Sequence, residues 1–288
     1  MTLFALGLVL AAAFLHATWN FFSKRVAGQL PFIFLVCVVS SVFWTPFALA
    51  VIVWERPDVG WTQIVAVAGS AILHLGYFRL LQRGYRIGDF SVVYPLARST
   101  GPAISSLGAI LLFGERPTWL GGVGMALIIG GVFTLTSGGK IAMGRILSAR
   151  WAIRYGVLTG VFIAAYTLWD ARSVRELGIH PLLLDWGSNV GRALLLLPFA
   201  SSWREEMAVH WKQHKLEIAA VAILGTFAYI LVLTAMTFTP VSYVAPARET
   251  SILIGTLMGM RFLSEEGGVR RIVAAAMMVI GVAALALG

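Results

Sequence analysis

The sequence predicts an all-helical integral membrane protein, with ten transmembrane helices forming two inverted five-helix repeats around a central cavity. Three observations predict this fold class. The composition is too apolar for a water-soluble domain, the apolar residues form ten segments long enough to cross a bilayer, and the two halves of the sequence resemble each other.

Composition excludes a soluble globular domain. Of the 288 residues, 59% are hydrophobic and 12% are charged, and the mean hydropathy is +0.85. Soluble domains contain roughly 25% charged residues, so this chain lacks the polar surface that a soluble core of its size needs. The net charge is +9, but the basic residues stand in short segments between apolar runs. There they would contact anionic lipid headgroups, so no nucleic-acid partner is expected.

Ten apolar segments of about 20 residues predict the transmembrane helices. Charged residues, glycines and prolines separate these segments, and the connections are too short to hold a soluble domain. The predicted spans are residues 2–22, 31–54, 61–82, 89–113, 117–137, 152–171, 181–200, 216–238, 240–262 and 268–287, with the longest connections at 138–151 and 201–215.

The second half of the sequence repeats the first at an offset of 150 residues. The matches include residue types that rarely coincide by chance: Trp19 with Trp169, Arg25 with Arg175, Pro31 with Pro181, Ala97-Arg98 with Ala247-Arg248, and Glu115 with Glu265. We therefore predict a first repeat at 1–137, a linker at 138–151 and a second repeat at 152–288. Five spans per half reverse the second half in the membrane, and inverted repeats are typical of secondary transporters.

Two arginines, Arg98 and Arg248, lie inside predicted spans at equivalent positions of the repeat. Charges inside a span are costly and usually face the bundle interior or a cavity. A pair of guanidiniums near the middle of the membrane suits a carboxylate or a phosphate, which each can hold through two hydrogen bonds. Alternatively, Glu249 neutralises one arginine and locks the halves together. Glu249 lies about 100° around the helix from Arg248, so its partner is expected on another helix.

Aromatic and polar residues on other spans complete the predicted substrate site. Besides the two arginines, the substrate-binding candidates are Tyr94, Trp19, Trp169, His74, Tyr77, Asn189 and Tyr229. Aromatic side chains beside arginines suit a planar or amphipathic organic anion or zwitterion. The alternatives are anchoring at the membrane interface for the two tryptophans and helix-to-helix hydrogen bonding for His74.

A second set of residues is predicted to couple or gate transport, and it comprises Glu249, Asp185, Arg192, Pro95 and Pro246. Asp185, Ser188, Asn189 and Arg192 share one face of the seventh span, where they either line the cavity or bond to neighbouring helices. Prolines are expected to break the fourth span at positions 95 and 102 and the ninth at 240 and 246. Because these breaks flank the arginines, they indicate the moving parts.

Three motifs resemble the drug/metabolite transporter superfamily, specifically its ten-helix EamA-type exporters. They are His16-Ala17-Thr18-Trp19-Asn20, the turn Gly114-Glu115-Arg116, and the glycine-rich fifth span with Gly121, Gly122, Gly124, Gly130 and Gly131. The resemblance implies a basket of helices whose cavity is lined by spans 1–4 and 6–9, with spans 5 and 10 as scaffold. It also implies a multi-pass protein of the plasma membrane, here a bacterial inner membrane. Known relatives carry amino acids, as in the YddG group, sugars, nucleotide-sugars or other metabolites.

These features predict a secondary transporter, most simply an exporter of a small anionic or zwitterionic metabolite such as an amino acid. The sequence lacks motifs for nucleotide binding, metal ligation or an activated nucleophile, so no cofactor, metal or catalytic residue is predicted. The expected partners are a small-molecule substrate and the lipid bilayer, and monomer and dimer both stay open. The alternative function is a membrane-embedded enzyme or flippase acting on a lipid-borne group, with Asp185, Glu249 and His74 as acid–base candidates.

The orientation of the termini is left open by two opposing indications. Thirteen lysines and arginines fall in connections opposite the termini and four fall on the termini side. By the positive-inside rule, this distribution places the termini outside. The family resemblance implies cytoplasmic termini instead.

Overall fold

The computed structural model describes residues 1–23, 26, 30–87, 90–136, 146–263 and 269–288. Within these ranges the regular structure is helical and no strand is present, as the sequence predicts. The helices are α1 (Leu3–Ser23), α2 (Leu30–Glu55), α3 (Trp61–Ile87), α4 (Phe90–Leu112), α5 (Trp119–Thr136), α6 (Ile146–Arg175), α7 (Pro181–Leu196), α8 (Arg204–Gln213), α9 (Lys215–Phe238), α10 (Val241–Arg248), α11 (Thr250–Leu263) and α12 (Val269–Leu287).

Several of these helices have the length and composition of membrane spans. Five described segments qualify in full: Leu3–Asn20, Leu30–Glu55, Trp61–Ile87, Arg150–Arg175 and Lys215–Phe238. Trp119–Leu135 and Ile272–Leu287 are apolar but shorter. Large apolar side chains such as Trp54 and Leu111 stand exposed on the outer surface, which suits contact with lipid rather than water. A helix satisfies its own backbone hydrogen bonds and is therefore stable in that environment.

The helices of the two halves pack against each other rather than forming separate bundles. In the first half, α1 packs against α9, α10 and α11 of the second half. In the second half, α6 packs against α3 and α4 of the first, which are the counterparts of those partners. α2 packs on α7, α4 on α10 and α5 on α12. Each half thus supplies equivalent neighbours to the other.

Two helix ends and one connection differ most from the predictions. α3 continues through Gly84 to Ile87. Gly84 has no side chain, so Val93 and Tyr155 pack closely against the helix at this point. α6 begins at Ile146, inside the predicted linker, while linker residues 138–145 lie outside the described ranges. The predicted connection 201–215 contains α8, whose first turn carries two glutamates and whose last turn carries basic residues, a distribution that stabilises a helix.

The prolines do not act alike in the two halves. α4 stays helical through Pro95 and Pro102, so the predicted break in the fourth span was wrong. Tight packing on α6 supports it there, since Gly156 brings the α6 backbone against the side chain of Leu96. The corresponding span of the second half is interrupted at Glu249, where α10 ends and α11 follows from Thr250. Every residue of α10 is buried.

Small residues bring α5 and α12 into backbone contact, in line with the scaffold role that the resemblance implies. A Cβ on Gly124 would lie 2.7 Å from the carbonyl oxygen of Gly281, and one on Gly281 would lie 2.9 Å from that of Gly124. Neither backbone can move away without separating the helices. This approach therefore requires glycine at both positions.

Glu115 joins three helix ends. Gly114 adopts φ +66° and turns the chain after α4, which directs the Glu115 carboxylate to the start of α10. Its Oε1 accepts hydrogen bonds from the Val241 amide at 2.7 Å and from Arg175 Nη1 at 2.8 Å, and its Oε2 accepts one from the Ser242 amide at 2.9 Å. A carboxylate at a helix N-terminus satisfies amides that have no partner within the helix.

We predict that Gly124→Ala lowers the melting temperature of the purified protein. The added methyl group would meet backbone atoms of α12, and overpacking of this kind costs about 1–3 kcal/mol. Gly122→Ala is the matched control, because a Cβ on Gly122 meets nothing within 4 Å. Equal melting temperatures for the two variants would contradict the close α5–α12 contact.

We also predict that Glu115→Gln destabilises the protein by about 1–2 kcal/mol, because it removes the charge that pairs with Arg175 and caps α10. Glu176→Gln is the control. Glu176 bonds to Arg172 at the same 2.8 Å, but both side chains are at least half exposed, so the change should be nearly neutral. If thermal unfolding shows equal losses for the two variants, Glu115 does not stabilise the α10 start.

Candidate functional site

Two buried arginines share one buried carboxylate in the interior of the helix bundle. Arg98 on α4 is 9% exposed, Arg248 on α10 is 4% exposed and Glu249 is 1% exposed. The Nη2 atom of Arg98 lies 2.9 Å from Glu249 Oε2, and the Nε atom of Arg248 lies 3.6 Å from Glu249 Oε1. Glu249 therefore has its closest partner on another helix, and the three residues carry one net positive charge.

The hydrogen bonds of this cluster are incomplete. Arg98 Nη2 also reaches Ser251 Oγ at 3.5 Å. Arg98 Nε, Arg248 Nε, Arg248 Nη2 and both Glu249 oxygens are buried and have no aligned hydrogen-bond partner among the described residues. Close charges without aligned hydrogen bonds are costly in an apolar interior. The cluster consequently has spare donors and spare positive charge.

The helix interruption lies at Glu249 itself, between Arg248 and Thr250. In a continuous helix neighbouring side chains diverge by about 100°, which would direct Glu249 away from Arg248. Pro246 lacks an amide hydrogen, so the Ser242 carbonyl one turn earlier loses its helical partner. The Ser106 hydroxyl of α4 donates to that carbonyl at 3.4 Å. The proline therefore links α10 to α4 beside the arginines.

Other predicted residues lie around the arginines. Tyr94, one turn before Arg98 on α4, interacts with the Arg98 guanidinium. His16 is close enough to both arginines to interact with them electrostatically. Trp19 Nε1 donates to His16 Nδ1 at 3.3 Å, and the two rings meet edge to face.

An aromatic group adjoins these residues. The ring of His74 stacks on Tyr166 with centroids 4.1 Å apart, and Tyr77 and Tyr229 each meet Tyr166 edge to face. Arg248 interacts electrostatically with Tyr166 and Tyr229. Tyr166 is not among the predicted substrate-binding residues, although it lies on the same face of the sixth span as Trp169. The structure shows it at the centre of this aromatic group.

A buried network surrounds Asp170, which lies on the face of α6 that repeats the His16, Trp19 and Asn20 face of α1 but is not among the predicted substrate-binding or coupling residues. Asp170 is 0% exposed, and its Oδ2 accepts a hydrogen bond from Tyr229 Oη at 2.7 Å. His74 Nδ1 lies 3.9 Å from the same oxygen and 2.9 Å from the Ser70 carbonyl. The one sequence feature that indicates a role for Asp170 is its position in the repeat, where it corresponds to Asn20.

The polar face of α7 forms a network with α2 and α9, and Ser188 on this face accepts a hydrogen bond from Ser70 of α3 at 3.2 Å. Asn189 Nδ2 donates to Asp185 Oδ2 at 3.0 Å, and Arg192 Nη2 lies 3.8 Å from Asp185 Oδ1. Asn189 also reaches Thr226, which shares a hydrogen bond with Ser40 at 2.7 Å. Asp185 and Arg192 span two turns, which explains the long separation. This face therefore bonds to neighbouring helices.

Trp169 occupies a different environment from its repeat counterpart Trp19. Its indole Nε1 donates to the Ala66 carbonyl at 2.8 Å, and its ring packs over Gly69 of α3. The side chain is 37% exposed. Its recorded contacts are those of a residue that packs α6 on α3.

A basic cleft opens at one end of the bundle. It measures about 390 Å³ and is lined by Leu30, Arg79, Leu80, Gln82, Arg83, Arg86 and Tyr155. The start of α6 lies here, whereas the end of α6 bonds to Glu115 at the opposite end of the bundle. Both termini lie at that opposite end, since the Met1 amino group donates to the Leu285 carbonyl and Gly288 packs on Thr118.

Comparison with solved structures supports this fold. A crystal structure of another protein matches the chain with a TM-score of 0.76 and 15% sequence identity, covering 100% of this chain and 98% of that one. A search of curated protein sequences gave no significant match.

A family model described as the EamA-like transporter family matches the chain twice, over residues 3–137 and 150–287. The two matches take in nearly the whole chain, one in each half, and they confirm the resemblance seen in the sequence motifs. They also identify the chain as a multi-pass membrane protein of the transporter class. The protein belongs to the EamA-like transporter family.

Proposed function

We propose that the protein exports a small organic anion or zwitterion that carries a carboxylate, with an amino acid as the best candidate, across a bacterial inner membrane. The observation that carries this proposal is the charge imbalance at the buried cluster, where Glu249 is the one carboxylate among the described residues within salt-bridge distance of Arg98 and Arg248. A substrate carboxylate would supply the missing negative charge and accept hydrogen bonds from Arg248 Nε and Nη2.

The aromatic group beside the arginines favours a substrate with an apolar part. Tyr77, His74, Tyr166 and Tyr229 lie in ring contact with one another. Such rings provide apolar surface together with a few hydroxyl groups that can orient a ligand. An amino acid fits this arrangement, because its carboxylate would face Arg248 while its side chain packs against the rings.

Alternating access is supported by the arrangement of the two halves. Their equivalent packing neighbours are those expected of two inverted five-helix repeats, each with five spans, related by an axis in the membrane plane. Glu115 ties the ends of α4, α6 and α10 together at the end that holds the termini. The arginine-lined cleft lies at the other end, where its charge would attract anions.

We predict that Arg248→Lys weakens substrate binding while the protein still folds. Lysine keeps the charge but lacks the planar pair of donors, and loss of a charge-assisted hydrogen bond corresponds to roughly 10- to 150-fold in affinity. Thermal-shift titrations of the purified protein should use amino acids, the matching amines without a carboxylate, and the matching acids without an amine. Uptake into liposomes should follow for the compounds that stabilise the protein.

Arg154→Lys is the control, because Arg154 on α6 is exposed and lies over the Trp151 ring rather than in the cluster. Equal stabilisation by amines and by amino acids would contradict carboxylate recognition. Normal liposome uptake by Arg98→Met and by Arg248→Met would exclude both arginines from the substrate site.

We predict strong coupling between Arg98 and Glu249 in protein stability. Glu249→Gln leaves two buried guanidiniums without a carboxylate and should cost about 3–5 kcal/mol. Adding Arg98→Met removes one of these charges and should restore most of the loss. The exposed pair Arg172 and Glu176 provides the control cycle, with coupling below about 1 kcal/mol. Additive effects on melting temperature in the first cycle would show that the pair is not coupled.

A further inference from the structure

The Asp170 carboxyl group is buried without a full set of partners. The residue is 0% exposed, and its Oδ1 atom has no hydrogen-bond partner among the described residues. Its Oδ2 atom accepts a hydrogen bond from Tyr229 Oη at 2.7 Å, and the Ser70 hydroxyl also lies close to the carboxyl group. An ionised carboxylate needs several donors or a cation when it leaves water, and an unpaired buried charge costs several kcal/mol. A carboxyl group that holds a proton avoids this cost.

His74 does not provide the missing counter-charge by direct bonding. Its Nδ1 atom lies 2.9 Å from the Ser70 carbonyl oxygen, which can only accept a hydrogen bond. Nδ1 therefore carries a hydrogen that points to Ser70, and it stands 3.9 Å from Asp170 Oδ2. The Ser70 hydroxyl donates to Ser188 at 3.2 Å and so joins the network to α7.

The arginines nearest to Asp170 interact with other groups or have an opposite charge beside them. Arg192 and Asp185 of α7 are both near Asp170 and carry opposite charges. Arg192 Nη2 lies 3.8 Å from Asp185 Oδ1, so Asp185 offsets its positive charge. Arg248 of α10 interacts with His74 and Tyr229 rather than pairing with Asp170. Arg98 of α4 pairs with Glu249. Within the described residues, no lysine or arginine comes within salt-bridge distance of Asp170.

Asp170 also lies where the two halves meet. It belongs to α6 and bonds to α9 of its own half, while His74 and Ser70 approach from α3 of the other half. Tyr229 of α9 donates to the Asp170 carboxyl group, and its ring meets the ring of His74 of α3 edge to face, so it joins the two halves at this site. The repeat counterpart in the first half is Asn20, whose amide cannot release a proton.

We propose that Asp170 is the proton-binding site of the transporter and that its proton is the coupling ion, an inference that rests on the proposed transport function. In this structure, where Asp170 is shielded from water (the dry arrangement), the carboxyl group holds a proton. When movement of the halves admits water, the O–H bond breaks, the proton passes to water, and the carboxylate becomes hydrated. Rebinding of a proton from the other side of the membrane restores the neutral group and permits the dry arrangement again.

Infrared spectroscopy of the purified protein tests the site without any substrate. The unmodified protein at neutral pH should show the carbonyl band of a protonated carboxyl group, and the band should shift in deuterium oxide. Asp170→Asn should lose this band, whereas Asp185→Asn should keep it. Absence of the band, or its persistence in Asp170→Asn, would overturn the proposal.

Transport in liposomes tests the coupling, with a radiolabelled mixture of amino acids as the probe. Asp170→Asn should retain exchange of the mixture across the membrane and lose accumulation driven by a proton gradient. Retained accumulation would overturn the proposal. Loss of exchange as well would assign Asp170 to substrate binding or to folding, and would also overturn it. Failure of the unmodified protein to carry the mixture counts against the proposed substrate class, and the infrared result then decides the proton site alone.

Discussion

A charged side chain inside an apolar helix bundle must find its partner on another helix, because lipid offers none and its own helix has already used its backbone groups. This constraint organises the packing of the protein. Glu115 joins α4, α6 and α10, and Glu249 joins the α10–α11 break to α4. Apolar contacts alone give helices little orientation in lipid, so these polar links determine which faces meet.

The polar links differ in how completely they are satisfied. The Glu115 carboxylate receives three short hydrogen bonds, two of which cap a helix, and this arrangement is that of a structural joint. Arg248 and Asp170 are buried just as deeply and keep unused donors or acceptors. Incomplete pairing lowers stability, and these are the positions at which we propose that the transporter binds its substrate and a proton.

The sequence predicted the helices well where the signal is local. The long apolar runs of α1, α2 and α9 lie within two residues of their predicted bounds, since run length alone indicates a span. The misplaced ends depended on other parts of the chain. α3 passes through Gly84 because Val93 and Tyr155 pack there, and α4 remains unbroken at its prolines because α6 supports it.

For the candidate site, the amino-acid pattern alone identifies the side chains that are too costly to face lipid, and the repeat places Arg98 and Arg248 at equivalent positions. Which of these groups pair with each other depends on how the helices pack. Glu249 pairs with Arg98 of another helix, and Asp170 becomes a buried carboxyl group because Tyr229 and His74 close over it from other helices. The residue type alone indicates that burying a charged group is costly. The partner of that group depends on how the helices rotate and cross, and no local sequence pattern encodes this.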